Sequence, residues 1–228
     1  MSLKNHPILT LAALLGFTTT AYTLTPSDNL TKHCNEKELE KFENDENLCF
    51  VHQYKDIINK AAKNYQIPPE LIGAILYQEN DWRMKTQDLA DIASNLIGRI
   101  HTAGPGQIQT TTARNLDDPT TPINTNIVQE YHSILNQPET AIDYVARELH
   151  RLQEQSNLKA TSFEGIDLLA SQYRTGLQKG PKPNAHGYDV LIILRGEKIQ
   201  RALEIPTPPH NRQGIQDYLN STTRIRVE

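Results

Sequence analysis

Cysteine, tryptophan and methionine are scarce in this chain: two, one and two among 228 residues. Two cysteines, Cys34 and Cys49, without Cys-x-x-Cys spacing are too few for a structural zinc site, so no metal is expected. No block of lysine or arginine occurs, and the formal net charge is -4. Without a basic pull, global or local, nucleic acid is not an expected partner. The apolar stretch from Pro7 to Phe17 is too short to cross a bilayer, and no stable membrane span is expected. No window alternates apolar and polar residues with period two, which argues against half-buried strands and leaves a mostly α fold. Internal repeats and low-complexity tracts are missing too, and no cofactor is expected.

What is present begins with Lys4, the apolar run and a Thr-rich stretch of small residues ending in Ala21. That order reads as an export signal over 1–21, against the alternative of an N-terminal helix packed on the domain. Both cysteines follow it. An even pair in an exported chain points to one disulfide, worth on the order of 3 kcal/mol for a loop of this length, against two unrelated thiols. Together they place the protein in the periplasm or outside the cell. The length suits one medium domain with extensions. Residues 22–51 form a polar N-terminal extension holding the cysteine pair, with at most a marginal helix over 22–48. Residues 52–204 form the domain, and 205–228 a Pro-rich, polar tail.

Within the domain, Tyr54, Ile57, Ile58, Ala61, Ala62 and Tyr65 recur at helical spacing. Pro68-Pro69 then opens a second helix, because a first turn tolerates proline's missing N–H. Its apolar row Leu71, Ile72 and Ile75 runs into Glu79, so the stripe ends in an acid. A carboxyl on a core-facing row is poorly hydrated, which raises its pKa toward the range of a general acid; the alternative is a solvated Glu at a helix end. Ala103-Gly104-Pro105-Gly106 composes a turn, and Gln107 to Ala113 begins a further helix. Helical rows follow at Ile123, Ile127, Tyr131, Ile134, then Ile142, Val145, Ala146, Leu149, Leu152, with Thr140 and Asp143 as its cap. Another runs through Ile166, Leu169, Ala170 and Tyr173 and stops at Gly176; after a Gly/Pro loop, Tyr188 to Leu203 is helical.

Three pieces stand in order: Leu71-Ile72-Gly73-Ala74-Ile75-Leu76-Tyr77-Gln78-Glu79, then Gly104-Pro105-Gly106-Gln107-Ile108 with Thr112-Ala113, then Ser171-Gln172-Tyr173-Arg174-Thr175-Gly176. Together they resemble the soluble lytic transglycosylase family, over roughly residues 52 to 200. Asn80 stands where that family has Ser, Pro105-Gly106 replaces Leu-Met, Arg174 replaces Asn, and the interval from Glu79 to Gln107 is longer. The resemblance implies a single lysozyme-like domain whose cleft binds peptidoglycan glycan strands. It makes Glu79 the catalytic acid, Gln107 and Ile108 cleft-lining residues, and Tyr173 a neighbour of the acid. Gly104 and Gly106 would let backbone approach the sugar, against a plain turn.

The chemistry of the residues agrees with that expectation. Cutting a glycosidic bond needs a carboxyl that stays protonated near neutral pH. The resemblance implies that one Glu serves as acid and then base, cutting between N-acetylmuramic acid and N-acetylglucosamine and leaving a 1,6-anhydro end. A hydrolytic muramidase would use a second carboxylate, for which Asp81, Asp88 and Asp91 are available. His101, His186 and Trp82 are candidate sugar contacts, against an exposed histidine or a core aromatic. A third alternative is a non-catalytic glycan-binding scaffold. An immunity or inhibitor protein is the partner expected if the muramidase is a secreted antibacterial effector, and a secretion or conjugation machine is a further candidate partner of the chain.

Overall fold

The computed structural model describes residues 34–80, 102–160, 162–176 and 196–205. The expected signal segment, Asp81, Trp82, Asp88, Asp91, His101, His186 and nearly all of the tail lie outside these described residues. Among the described residues the fold is mostly α. In chain order the elements are α1 (Glu36–Lys41), α2 (Glu46–Gln53), α3 (Lys55–Tyr65), α4 (69–80), β1 (Thr102–Ala103) and β2 (Ile108–Gln109). They continue with α5 (Thr110–Asp117), α6 (Thr125–Leu135), α7 (Pro138–Ser156), α8 (Phe163–Thr175) and α9 (196–202). No described helix is long and apolar enough to cross a membrane.

Helix α7 is the axis of the packing. Ile142, Val145, Ala146, Leu149 and Leu152 are all buried, and α3, α5, α6, α8 and β2 pack on it. The helix starts at Gln137 with Pro138 in its first turn and ends at Asn157, which is left-handed at φ 55°. The Thr140–Asp143 cap expected from the sequence is therefore not used: Thr140 lies inside the helix, and Asp143 accepts a hydrogen bond from the Tyr65 hydroxyl at 3.2 Å. Helix α3 buries Ile58, Ala61 and Ala62 as its spacing predicts and ends at left-handed Gln66. On α6 the predicted row holds in part: Tyr131 and Ile134 pack partly buried against the core. Ile123 precedes the helix and is exposed, Asn124 caps it, and the fully buried residues are Val128 and Leu135.

The polar segment before residue 52 is part of the domain. The expected boundary falls inside α2, whose Leu48, Cys49, Phe50 and Val51 belong to the hydrophobic core. Charged flanks at Glu46 and Asp45 masked that short apolar run. Cys34 and Cys49 form a disulfide with Cα atoms 6.3 Å apart, tying the start of the described chain to α2. Within the predicted 188–203 helix, the described portion is α9, with Ile199, Ala202 and Leu203 buried in the same core.

Helices α5, α6 and α7 are bolted together at Asp117. Its carboxylate accepts from the Tyr131 hydroxyl at 2.8 Å, from the Tyr144 hydroxyl and from Arg147 Nη1 at 2.7 Å, while Arg147 Nη2 donates to the Leu116 carbonyl. Burial pulls the Asp117 pKa up, but the bonds from Tyr144, Arg147 and Tyr131 outweigh it and hold the carboxyl below its ordinary value. Burial, then the bond to Asp117, pushes Tyr131 up to about 12. A depressed carboxylate pKa contributes stability above the unfolded value, and that stability is lost as pH falls through the folded one. Asp117→Asn should therefore lower the melting temperature at neutral pH, and the deficit should shrink as pH drops below about 4. Thermal melts across pH check this; a deficit independent of pH would contradict it.

Candidate functional site

Helix α4 carries Glu79 to the site. The Pro68 carbonyl accepts from the Leu71 and Ile72 N–H groups, which closes the first turn that Pro69 cannot close. Leu71, Ile72, Ile75 and Leu76 are then completely buried, and the row surfaces at Glu79, which is half-buried. Two hydrogen bonds fasten this end of the helix to the start of α2. The Tyr77 hydroxyl donates to Asp45 Oδ2 at 2.8 Å, and Asn80 Nδ2 donates to Asn47 Oδ1 at 2.7 Å. Asp45 also caps α2 by accepting from the Asn47 and Leu48 N–H groups. Asn80, buried at this junction, thus has a positioning task.

The Gly-rich turn joins β1 to β2 in an antiparallel hairpin that pairs Ala103 with Ile108. Gly104 is left-handed at φ 70°, and a Cβ there would fall 1.9 Å from the Leu135 carbonyl oxygen. A Cβ at Gly106 would fall 2.3 Å from Val145 Cγ2 and 3.3 Å from the Tyr173 hydroxyl. Both glycines are therefore required by packing inside the protein, a stronger reason than approach to a sugar. Gln107 is left-handed as well, at φ 48°. Its Oε1 accepts from the Thr102 hydroxyl at 2.8 Å and its Nε2 donates to the Gly104 carbonyl at 2.8 Å, so the side chain braces its own turn. Ile108 lies in the core at 3% exposure. The helix expected from Gln107 begins only at Thr110, after the short strand.

Tyr173 joins the hairpin to the acid. Helix α8 is capped by Ser162, whose hydroxyl accepts from the Gly165 N–H, and it stops at Gly176 at φ 75°. Near its end the Tyr173 hydroxyl donates to the Gly106 carbonyl at 2.6 Å. Burial, then the Glu79 carboxylate, then the Glu148 carboxylate push the Tyr173 pKa well above its ordinary value, so the phenol stays protonated. Glu79, the hairpin and Tyr173 are thus brought together from three distant parts of the chain. Arg174, beside Tyr173, is exposed.

Glu148 was not among the residues expected at the site. It is buried on α7 and held by two nitrogens of one guanidinium: Arg151 Nε donates to its Oε2 at 2.7 Å and Nη2 to its Oε1 at 2.6 Å. The signal that singles out Glu79, an acid on an apolar row, is also present here. Ala141, Val145, Glu148 and Leu152 share one face of α7. A groove of about 670 Å³ opens at the opposite end of α4, lined by Ala62, Lys63, Ile67, Pro69, Gln153 and Lys159, and neither Glu79 nor Tyr173 borders it. Comparison of the chain with protein-family models, with curated proteins and with solved structures finds no match.

Two stability measurements test this geometry. Tyr173→Phe leaves the Gly106 carbonyl without its donor and should cost about 1–2 kcal/mol in denaturant unfolding. Gly106→Ala should destabilise by at least as much, and adding Val145→Ala should recover part of the loss, because the smaller side chain removes the 2.3 Å collision. Strictly additive losses in the double variant would contradict the contact.

Proposed function

We propose that this chain is an exported enzyme that cuts peptidoglycan between N-acetylmuramic acid and N-acetylglucosamine, by the lytic transglycosylase reaction on a lysozyme-like domain. The observation that carries this reading is the convergence of Glu79, the 104–108 hairpin and Tyr173, the three pieces on which the sequence resemblance rests. Glu79 protonates the glycosidic oxygen as the bond to the muramic C1 breaks, and the substrate's own N-acetyl oxygen closes on that carbon. The Glu79 carboxylate then takes the proton of the muramic 6-hydroxyl, whose oxygen displaces the N-acetyl group and forms the 1,6-anhydro ring. Atoms balance without water. One carboxyl that is half-withdrawn from solvent suits both steps, since acid and base roles alternate on the same group.

Tyr173 contributes through the direction of its proton. Because its O–H is donated to the Gly106 carbonyl, its oxygen offers lone pairs to a donor on the acid side. An acceptor there favours the protonated carboxyl over the carboxylate, which the first step requires. The Cys34–Cys49 disulfide supports a periplasmic or secreted location, where such a bond persists and the substrate lies.

Glu79→Gln keeps the size and half-buried seat of the side chain but has no proton to deliver. Release of soluble fragments from purified peptidoglycan should fall by about a thousandfold or more, with the helical circular-dichroism spectrum unchanged. Fragment release by Glu79→Gln at the wild-type rate would overturn the assignment.

A further inference from the structure

The groove of about 670 Å³ at the Pro69 end of α4 takes no part in the bond-breaking steps, yet its floor and rim differ sharply in chemistry. The floor is apolar, formed by Ala62, Ile67 and Ala160, all buried. The rim is polar and exposed: Lys63 and the carboxamides of Asn59 and Gln66 come from α3 and its end, and Lys159 comes from the connection between α7 and α8. No carboxylate lines the groove, although the chain as a whole carries a net charge of -4. Among the described residues neither Lys63 nor Lys159 forms an ion pair, so both ammonium groups are available to an anion.

The walls are held in place from within. Helix α3 ends at left-handed Gln66, after which the Ile67 N–H returns to the Ala62 carbonyl at 3.1 Å. Gln153 Oε1 accepts from the Ala160 N–H at 3.2 Å, which fastens the Lys159 segment to α7. Between these walls Pro68 and Pro69 offer no N–H, and the Pro68 carbonyl is already taken by Leu71 and Ile72. Recognition therefore falls to the side chains of the rim. A matching ligand has carboxylates for the two ammonium groups, amides for the two carboxamides and small apolar groups for the floor. A short acidic peptide with small side chains has all three.

We propose that this groove binds the acidic peptide stem that hangs from the muramic sugar, an inference that rests on peptidoglycan being the polymer, as argued above. Stem peptides carry alanine methyl groups and free carboxylates, which suit the floor and the two lysines. Length also fits. From Pro69 to Glu79 helix α4 rises by roughly 15 Å, at about 1.5 Å per residue. An extended pentapeptide spans about 17 Å. A stem on the sugar at Glu79 is thus long enough to lay its carboxylate end between Lys63 and Lys159. Docking it there would favour stem-bearing strands and fix which glycosidic bond stands at the acid.

The test is a titration of the full chain with a synthetic stem pentapeptide that carries no sugar, followed by nitrogen-15 NMR. Amide shifts should concentrate at Asn59, Lys63, Gln66 and Lys159. The double variant Lys63→Gln, Lys159→Gln should bind about tenfold more weakly, and a pentapeptide with its carboxyls amidated should lose a similar factor. Both lysines are exposed, so the double variant should melt as the wild type does. Shifts that leave the groove untouched, or wild-type affinity in the double variant, would overturn the inference. Fragment release is then compared on intact strands and on strands stripped of their stems by an amidase. The wild-type chain should prefer the intact strands and the double variant should treat both alike; a preference that survives in the double variant would also overturn it. A chain that binds the pentapeptide but releases no fragments loses the enzymatic reading and keeps the groove, whereas one that releases fragments and ignores the pentapeptide keeps the enzyme and loses the groove.

Discussion

The β1–β2 hairpin sits against α6 and α7 at distances that leave no room for side chains: 1.9 Å from a Gly104 Cβ to the Leu135 carbonyl oxygen, and 2.3 Å from a Gly106 Cβ to Val145 Cγ2. That approach sets the position of the Gly106 carbonyl relative to α7. The carbonyl in turn receives the Tyr173 hydroxyl and so sets the orientation of the phenol from α8. The phenol there feels the charge of Glu79 on α4 and of Glu148 on α7. Without the two glycines the hairpin would stand off the helix, and the tyrosine would lose its acceptor.

Each arm of the site is anchored by side-chain hydrogen bonds. Tyr77 and Asn80 tie the end of α4 to Asp45 and Asn47 at the start of α2, and Asp117 ties α5, α6 and α7 through two tyrosines and an arginine. A buried polar group left unpaired costs about 1–3 kcal/mol, so the part-buried bonds of Tyr77, Asn80 and Tyr144 favour one arrangement of the helices over near alternatives. The site draws on α4, α8 and one turn, and both α8 and β2 pack on the long α7.

Much of this was legible in the sequence because helical rows are a periodic signal. The inward faces of α3, α4 and α7 follow from spacing alone, as does the stop of α8 at Gly176. Glu79 stands out as an acid on an apolar row. The same rule applied to Ala141, Val145 and Leu152 finds Glu148, and only the fold shows that its pairing with Arg151 is turned inward. The roles of Gly104, Gly106 and Gln107 were out of reach because they depend on contacts with Leu135, Val145 and Thr102, which no local pattern encodes. The start of the domain was also hidden. Leu48 to Val51 is a short apolar run flanked by charge, and only its packing against the remaining core reveals that α2 belongs inside.

The central claim is that one carboxyl, Glu79, both breaks the glycosidic bond and completes the reaction without water. Mass spectrometry of the ends released from purified peptidoglycan by the full chain tests it most directly. The account predicts 1,6-anhydro-muramic ends, lighter by one water than the reducing ends of a hydrolysed strand. Reducing ends would contradict the transglycosylase chemistry and require a second group to activate water. A chain that binds the polymer and releases nothing would contradict catalysis altogether.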